Sequence, residues 1–320
     1  MELTYIPLFA VLVSLAAVPF ILLSSKKPNL REFWTILAGV IKFLLVLTLL
    51  PSALQGNVIE LELFEIAPNL PLVLKADTFG VFFALIASGL WIFTSFYSIG
   101  YMRGHHEKKQ TRYFASFAIC LSSTIGIAFS GNLLTFIIFY EMLTLATYPL
   151  VIHSETKKGI AAGRKYLTYT LTAGLLLIAA AGITYSLTGT LDFQAGGIFE
   201  GVELSQTMAV TIFILFLGGV GVKAGIMPLH SWLPSAMAAP TPVSALLHAV
   251  AVVKSGVFGV IRVVGYIFGP EVMAEFGLNE ILMVLAGITV IVASLLAFAQ
   301  DNLKRRLAYS TVGHLSYIVL

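Results

Sequence analysis

Five ionisable side chains stand where an apolar sequence has no ordinary use for charge. Lys42, Glu141, Lys223, Lys254 and Arg262 each lie inside a long apolar run. A charge at the centre of a hydrocarbon layer costs at least about 2.5–3.5 kcal/mol on the insertion scale. Residues that carry this cost are therefore functional candidates, and an amine and a carboxylate held in low dielectric are suited to reversible proton transfer. Glu141 follows Thr135-Phe136-Ile137-Ile138-Phe139-Tyr140 and is the sole acid well within any run. Lys223 closes Gly218-Gly219-Val220-Gly221-Val222-Lys223, with Gly225 and Pro228 just beyond. Glycines and a proline inside one span predict a broken helix, whose freed carbonyls and buried ammonium can meet water or an ion.

Lys254 falls at the midpoint of its run, too deep to reach the interface cheaply along its own stem. His248 lies six residues earlier, on the same predicted helix. Lys42 is equally deep and isolated in sequence, so that a structural and a functional reading stand side by side. Arg262 sits about a turn from the end of its run and is read as an interface anchor. His230 lies in the proline-bounded segment Pro228–Pro234 and His314 in the last run, whereas His105, His106 and His153 fall between runs and are read as solvated. Each candidate has a plain alternative: Glu141 as a structural counter-ion, Lys223 as a lysine snorkelling to the near surface, His248 as a buried histidine satisfied by a carbonyl.

Metal and redox chemistry find little support. The single cysteine, Cys120, excludes an intrachain disulfide and a cysteine-based metal site. No two histidines have the spacing of a haem or metal pair on adjacent turns. No cofactor and no metal are expected.

The elements that position these residues follow from composition. The chain is 58% hydrophobic and 11% charged, against about 25% charged residues in soluble domains. Apolar runs of about 20 residues, each able to cross roughly 30 Å of hydrocarbon, recur along it. Backbone polar groups find no water there, so the runs must be helices. Ten spans are predicted, at roughly 3–23, 33–53, 77–101, 113–130, 132–152, 165–188, 206–227, 242–266, 280–299 and 306 to the end.

The connections alternate in charge. Lys26, Lys27, Arg31, Arg103, Lys108, Lys109, Arg112, Lys157, Lys158, Arg164, Lys165, Lys304, Arg305 and Arg306 flank one set, fourteen basic residues in all, whereas the other set carries Lys75 alone and several acids. The positive-inside rule then places the basic loops in the cytoplasm of an inner-membrane protein, with its N-terminus outside. These basic residues are spread over several loops and form no stripe, so no nucleic-acid partner is expected. The segment 58–76 is not a span: Ile59-Glu60-Leu61-Glu62-Leu63-Phe64-Glu65 alternates with period two, Ala67-Pro68-Asn69 reads as a turn, and an external β-hairpin is predicted. No linker divides the chain. It is read as one transmembrane domain, and its end within an apolar run at Leu320 suggests a fragment.

Two stretches carry a family resemblance. Pro228-Leu229-His230-Ser231-Trp232-Leu233-Pro234-Ser235-Ala236-Met237-Ala238-Ala239-Pro240-Thr241-Pro242-Val243-Ser244-Ala245-Leu246-Leu247-His248 resembles the signature of the proton-conducting antiporter-like subunits of complex I, Mrp antiporters and membrane-bound hydrogenases. Asp301-Asn302-Leu303-Lys304-Arg305-Arg306-Leu307-Ala308-Tyr309-Ser310-Thr311 resembles a second motif, and Glu141 completes the pattern. The resemblance covers essentially the whole chain. It implies a fourteen-helix fold with two inverted five-helix repeats, here 113–266 and a truncated 280–320, after three N-terminal helices in 1–112. It also implies that Glu141, Lys223, His248 and Lys254 form a polar axis at mid-membrane. The second broken helix, expected in a twelfth span, is absent. Val312-Gly313-His314 departs in a smaller way, since many relatives carry glutamine at the last position.

The resemblance therefore implies an ion-translocating subunit of a multi-subunit cation/proton antiporter, which makes the chain a transporter component rather than an enzyme. Protons, with Na⁺ as a second candidate, pass through Glu141, Lys223, Lys254 and His248, with His230, Lys42 and His314 secondary. Lys223 paired with Glu141 holds its proton, and separating the pair sends it toward Lys254 or His248. The expected partners are other membrane subunits and the bilayer. The alternative is a proton-pumping subunit of a complex I or hydrogenase type redox complex. A quinone-binding redox protein and a structural scaffold are the more distant rivals.

Overall fold

Apolar length dictates the architecture. In the computed structural model, which describes residues 3–67, 70–249 and 251–320 and only the backbone of 67 and 247–249, the chain is a bundle of long helices with one two-stranded sheet. The helices are α1 (Ile6–Leu23), α2 (Pro28–Leu54), α3 (Thr78–Gly104), α4 (Gln110–Ala128), α5 (Leu133–Val151), α6 (Lys157–Thr188), α7 (Gln206–Ala224), α8 (Trp232–Ala236), α9 (Thr241–Ala249), α10 (Val252–Arg262), α11 (Gly269–Glu275), α12 (Leu278–Phe298) and α13 (Leu303–Val319). Strands β1 (Ile59–Ala67) and β2 (Leu70–Ala76) separate α2 from α3.

Eight stretches among the described residues are long and apolar enough to cross a membrane. With α4 and α13 they account for the ten predicted spans. Helix α4 falls outside the eight, with Gln110 and Arg112 in its first turn and Ser116, Ser122, Ser123 and Thr124 beyond, and the structure shows why it tolerates the hydroxyls. It is largely enclosed, packed on α1, α3 and α5, and those hydroxyls are buried among its neighbours.

Side-chain oxygens fix where several helices start. Asp77, Asn132, Thr156, Ser205 and Asn302 each accept an N–H of the first turn of α3, α5, α6, α7 and α13, respectively, contacts each worth about 1 kcal/mol. The Thr156 cap starts α6 at Lys157, and Pro28 sits in the first turn of α2. Both helices therefore begin earlier than the apolar runs, which open near 165 and 33. Arg31, Glu32, Lys158 and Arg164 are thus helical, on turns whose charges continue past the apolar stretch.

The alternating loops gather at two ends, as the charge pattern predicts. At one end the hairpin is antiparallel, Ile59 facing Ala76 and Glu60 facing Lys75, and the Glu60–Lys75 ion pair spans 3.6 Å. β2 is bound in turn to the α4–α5 loop through Lys75 N–H to Phe129 O, 2.6 Å, and Gly131 N–H to Val73 O, 3.0 Å. That loop pairs with the α6–α7 loop, Leu133 N–H to Leu191 O at 2.8 Å and Phe193 N–H to Gly131 O at 3.1 Å. Ile198 N–H then reaches Ile267 O, 2.9 Å away, beyond α10. The turn residues 68 and 69 lie outside the described residues. At the other end Arg103 binds Glu32 and Asn29, Arg31 binds Gln110, and Arg112 binds Glu155. We call these the acidic and the basic end.

Two expectations about the eighth span change. It is not one helix: α9 stops at Ala249 and α10 starts at Val252, so His248 and Lys254 stand on separate segments. Beyond α10 the coil widens to a π-helix over Val263–Phe268 before α11. Arg262 is not an interface anchor either. It is 2% exposed, donates to Asp77 at 2.6 and 2.9 Å, and is ringed by Phe79, Phe193, Phe258 and Tyr266. An acid opposite and four aromatic faces supply inside the protein what the interface would otherwise supply.

Candidate functional site

The break in the seventh span comes from two residues. Gly225 adopts left-handed backbone (φ 75°) and ends α7 at Ala224, and Pro228, without an N–H, blocks a direct restart. A short 3₁₀ turn, Leu229–Ser231, leads into α8. The freed carbonyls do not stay orphaned. Gly221 O accepts Ile226 N–H at 3.0 Å, and Val222 O accepts Gly225 N–H at 3.2 Å and the Trp232 indole N–H at 2.7 Å.

Lys223 therefore sits in the last turn of α7, where the helix dipole favours a cation. It is fully buried. Its ammonium donates to Tyr140 O at 2.6 Å and lies 3.4 Å from the centre of the Tyr140 ring. The same carbonyl accepts the Thr144 hydroxyl at 3.2 Å, while Tyr140 Oη donates to Gly219 O, one turn before Lys223, at 3.3 Å. Tyr166 Oη donates to Thr144 O at 3.4 Å. On the other side, Gly256 of α10 lies against the main chain of Lys223 and Ala224, with no room for a methyl group. Helix α10 thus rests directly on the end of α7.

Glu141 is the next residue after the carbonyl that holds Lys223, yet among the described residues no ion pair within 4 Å joins the two. The expected direct pair is corrected to an arrangement around the Tyr140 main chain. One helical step turns Glu141 away from the face that Tyr140 presents to α7. Its Oε1 is buried without a hydrogen-bond partner, and the carboxylate fills the space where a side chain at Gly174 of α6 would stand, 2.5 Å from the position of that Cβ.

The other predicted residues fall at different distances from this centre. Lys254 is half-buried on α10 and lines an apolar cavity of about 260 Å³ with Phe79, Phe83 and Phe258. The backbone of His248 is helical in α9, and its side chain lies outside the described residues. His230 is half-buried in the 3₁₀ turn, its Nδ1 buried without a partner and its ring 6.0 Å from Tyr309. His314 is exposed on α13 beside Tyr317 and does not join the centre. Lys42 is fully buried but lies on α2, which packs on α1, α3 and α4, and it donates to Ser14 of α1. It forms a separate buried amine.

Sequence reading passes over four residues of the centre. Tyr140 adjoins Glu141 and Trp232 lies within the motif that carries the resemblance, so both are within its reach. Thr144 and Gly174 carry no signal that charge or periodicity would show. His153, expected to be solvated, is 5% exposed in the α5–α6 loop, against Glu107 of the α3–α4 loop and Tyr113 of α4.

This fold is that of a multi-span helical membrane protein with an interrupted helix and ionisable side chains buried beside the interruption. The chain belongs to the NADH:quinone oxidoreductase/Mrp antiporter transmembrane family, whose profile matches residues 130–320, as the two motifs implied. It is 34% identical over 254 residues to hydrogenase-4 component B of Escherichia coli, covering 78% of this chain and 36% of that protein. Identity to a probable K⁺/H⁺ antiporter component of Rhizobium meliloti is 32% over 286 residues, 88% of this chain and 28% of the relative. Identity to a Na⁺/H⁺ antiporter component of Alkalihalophilus pseudofirmus is 27% over 303 residues, 94% of this chain and 60% of the relative. The chain thus spans between about a quarter and three fifths of the length of these relatives. Its fold is similar to a chain of the Mrp complex from Dietzia sp. (TM-score 0.85, 21% identity, 100% of this chain and 59% of that one). It is also similar to a chain of the archaeal membrane-bound sulfane sulfur reductase (TM-score 0.84, 21% identity, 98% and 64%).

Proposed function

We propose that this chain is an ion-translocating subunit of a multi-subunit cation/proton antiporter in the cell membrane, with the basic end in the cytoplasm and the N-terminus outside. The observation that carries the reading is the fully buried Lys223 at the end of an interrupted helix, held by the carbonyl of the residue that precedes Glu141. An ammonium has three N–H donors, and the pull of a nearby carboxylate helps to keep its proton in place. A shift of α5 that changes the distance between Glu141 and Lys223 changes that pull. The proton then passes to the amine of Lys254 or the imidazole of His248, and Lys223 is left neutral until it is reloaded. His230, at the basic end of the break, stands between this centre and the loop face, whereas Lys42 and His314 stand apart from the axis.

In this reading residues 113–266 form one five-helix repeat and 280–320 begin a second, inverted one, with other membrane subunits completing the complex. Na⁺ is the proposed counter-ion. The identity to hydrogenase-4 component B favours a second reading, a proton-pumping subunit of a complex I or hydrogenase type assembly driven by redox subunits. Hydrophilic iron–sulfur subunits encoded beside this gene would support the second reading, and antiporter subunits alone the first.

The test is a pair of substitutions in the complete complex, reconstituted in vesicles and read as cation-dependent pH change. Lys223→Ala removes the proton carrier. Lys223→Arg keeps the charge but cannot release a proton at any working pH. Both should be inactive, and near-normal flux with arginine would make Lys223 a fixed electrostatic post.

A further inference from the structure

Among the histidines whose side chains are described, His153 alone is buried. It follows the end of α5 at Val151, at the basic end, and its side chain is 1% exposed. Neither ring nitrogen has a hydrogen-bond partner. Glu107 Oε2 stands 3.7 Å from Nε2, and the Lys108 carbonyl is near enough to favour protonation without meeting hydrogen-bond geometry. A histidine kept only for packing, edge-on to Tyr113 at 5.6 Å, would leave both nitrogens desolvated, a penalty that phenylalanine avoids.

We propose that His153 is the proton-exchange group at the basic-end mouth of the Glu141–Lys223 centre, an inference that rests on the relay reading above. Its surroundings suit that task. From the α5–α6 loop Glu155 is bound by Lys109 at 2.6 Å and Arg112 at 2.7 Å, contacts that hold its carboxyl down at about 2 and keep it engaged. Glu107, from the α3–α4 loop, remains as the acid that answers a charge on the ring. Burial pushes the imidazole below its ordinary value, Glu107 and Glu155 oppose this, and Arg112 reinforces it. The ring is thus neutral at rest and charged in passage.

Glu141 lies on α5, roughly 15 Å inward of the helix end at Val151 at about 1.5 Å per residue. Buried polar groups occupy successive levels along α4 and α5: Tyr113 of α4, whose hydroxyl meets Ser98 of α3 at 3.0 Å, then Cys120 of α4 and Thr147 of α5 at 3.5 Å, then Thr144 on the Tyr140 carbonyl within α5. In the step assigned to His153, one ring nitrogen takes a proton from water at the loop face and Glu107 holds the imidazolium. The other nitrogen releases its proton inward, the ring returns to neutral, and the proton ends on the Glu141 carboxylate as a carboxylic acid. The reverse sequence serves protons leaving by the same mouth.

The test measures initial transport rate against pH on the basic-end side, in vesicles holding the complete complex. Wild type should show a break below about pH 6.5, the ordinary histidine value. In His153→Phe the rate should fall about tenfold and the break should vanish. Glu107→Gln should move the break to lower pH. His153→Ala should regain rate with added imidazole, and substituted imidazoles should rescue in the order of their own basicity. A His153→Phe complex with wild-type rate and profile would overturn the proposal. So would a slow one that keeps the break, with no imidazole rescue of His153→Ala, because that pattern describes packing. Glu141→Gln, run alongside, reports on the relay itself and leaves the His153 pocket intact. An active Glu141→Gln complex would discard the relay, whatever His153 does.

Discussion

Lys223 donates its ammonium to the main-chain carbonyl of Tyr140, 2.6 Å away, and the ring of the same residue faces that ammonium at 3.4 Å. One residue thus supplies both an acceptor that mutation cannot remove and a π face that it can. Tyr140→Phe keeps the ring and loses only the hydroxyl bond to Gly219, so transport should stay within about tenfold of wild type, one neutral hydrogen bond being worth roughly 0.5–1.5 kcal/mol. Tyr140→Leu removes the face. A desolvated cation–π contact is worth about 2 kcal/mol, and the flux of the reconstituted complex should fall by more than tenfold. Equal losses in the two variants would mean that the ring has no special place in holding the lysine.

Gly174 sets where the Glu141 carboxylate lies, because Glu141 occupies the space of the missing side chain. Gly174→Ala should therefore displace the carboxylate and lower ion-coupled flux at least tenfold, while the complex still assembles. Adding Glu141→Asp, one methylene shorter, should restore part of that flux in vesicle assays. If the double variant is worse than either single one, the two sites do not share this space.

The Arg262–Asp77 pair predicts a stability effect with no direct part in transport. Breaking a buried ion pair by removing one partner costs about 3–5 kcal/mol. Arg262→Leu should sharply reduce the thermal stability of the purified complex, because the Asp77 side chain, 13% exposed, is then left without its ion-pair partner. Asp77→Asn keeps the α3 cap but loses the charge, and Arg262→Leu combined with Asp77→Asn should be less damaging than Arg262→Leu alone. Fluorescence-monitored melting measures the order.

The spans are legible in the sequence because their cause is local: an apolar run must be a helix in lipid, and the period-two segment from Ile59 to Glu65 must be a strand. Glu141 and Lys223 are legible for the same reason, each being a charge in an apolar run. The remainder depends on partners distant in sequence. Arg262 meets an acid 185 residues away, and nothing in its own helix announces that acid. His153 is a loop residue buried against Glu107 of the α3–α4 loop and Tyr113 of α4. The gap between α9 and α10 falls within Leu246–Val252, a stretch with no glycine or proline to mark it. Helices α2 and α6 exceed their apolar runs because Pro28 and the Thr156 cap, signals that hydropathy ignores, set their starts.

Topology is open to a chemical check. In a Cys120→Ala background, single cysteines near Lys108 and Lys158 should react with an impermeant reagent from the cytoplasmic side only. Those near Glu62 and Glu200 should react only from outside. Reaction of both sets from one side would overturn the alternation of spans.

The most direct test of the account is Glu141→Gln in the complete reconstituted complex. Glutamine keeps the size of the side chain beside Gly174 and removes its charge, so packing and assembly should be preserved. Assembly should be normal, with cation-dependent proton flux at the background of empty vesicles. Flux near the wild-type rate would contradict it, because the charge beside Lys223 would then have no part in moving protons.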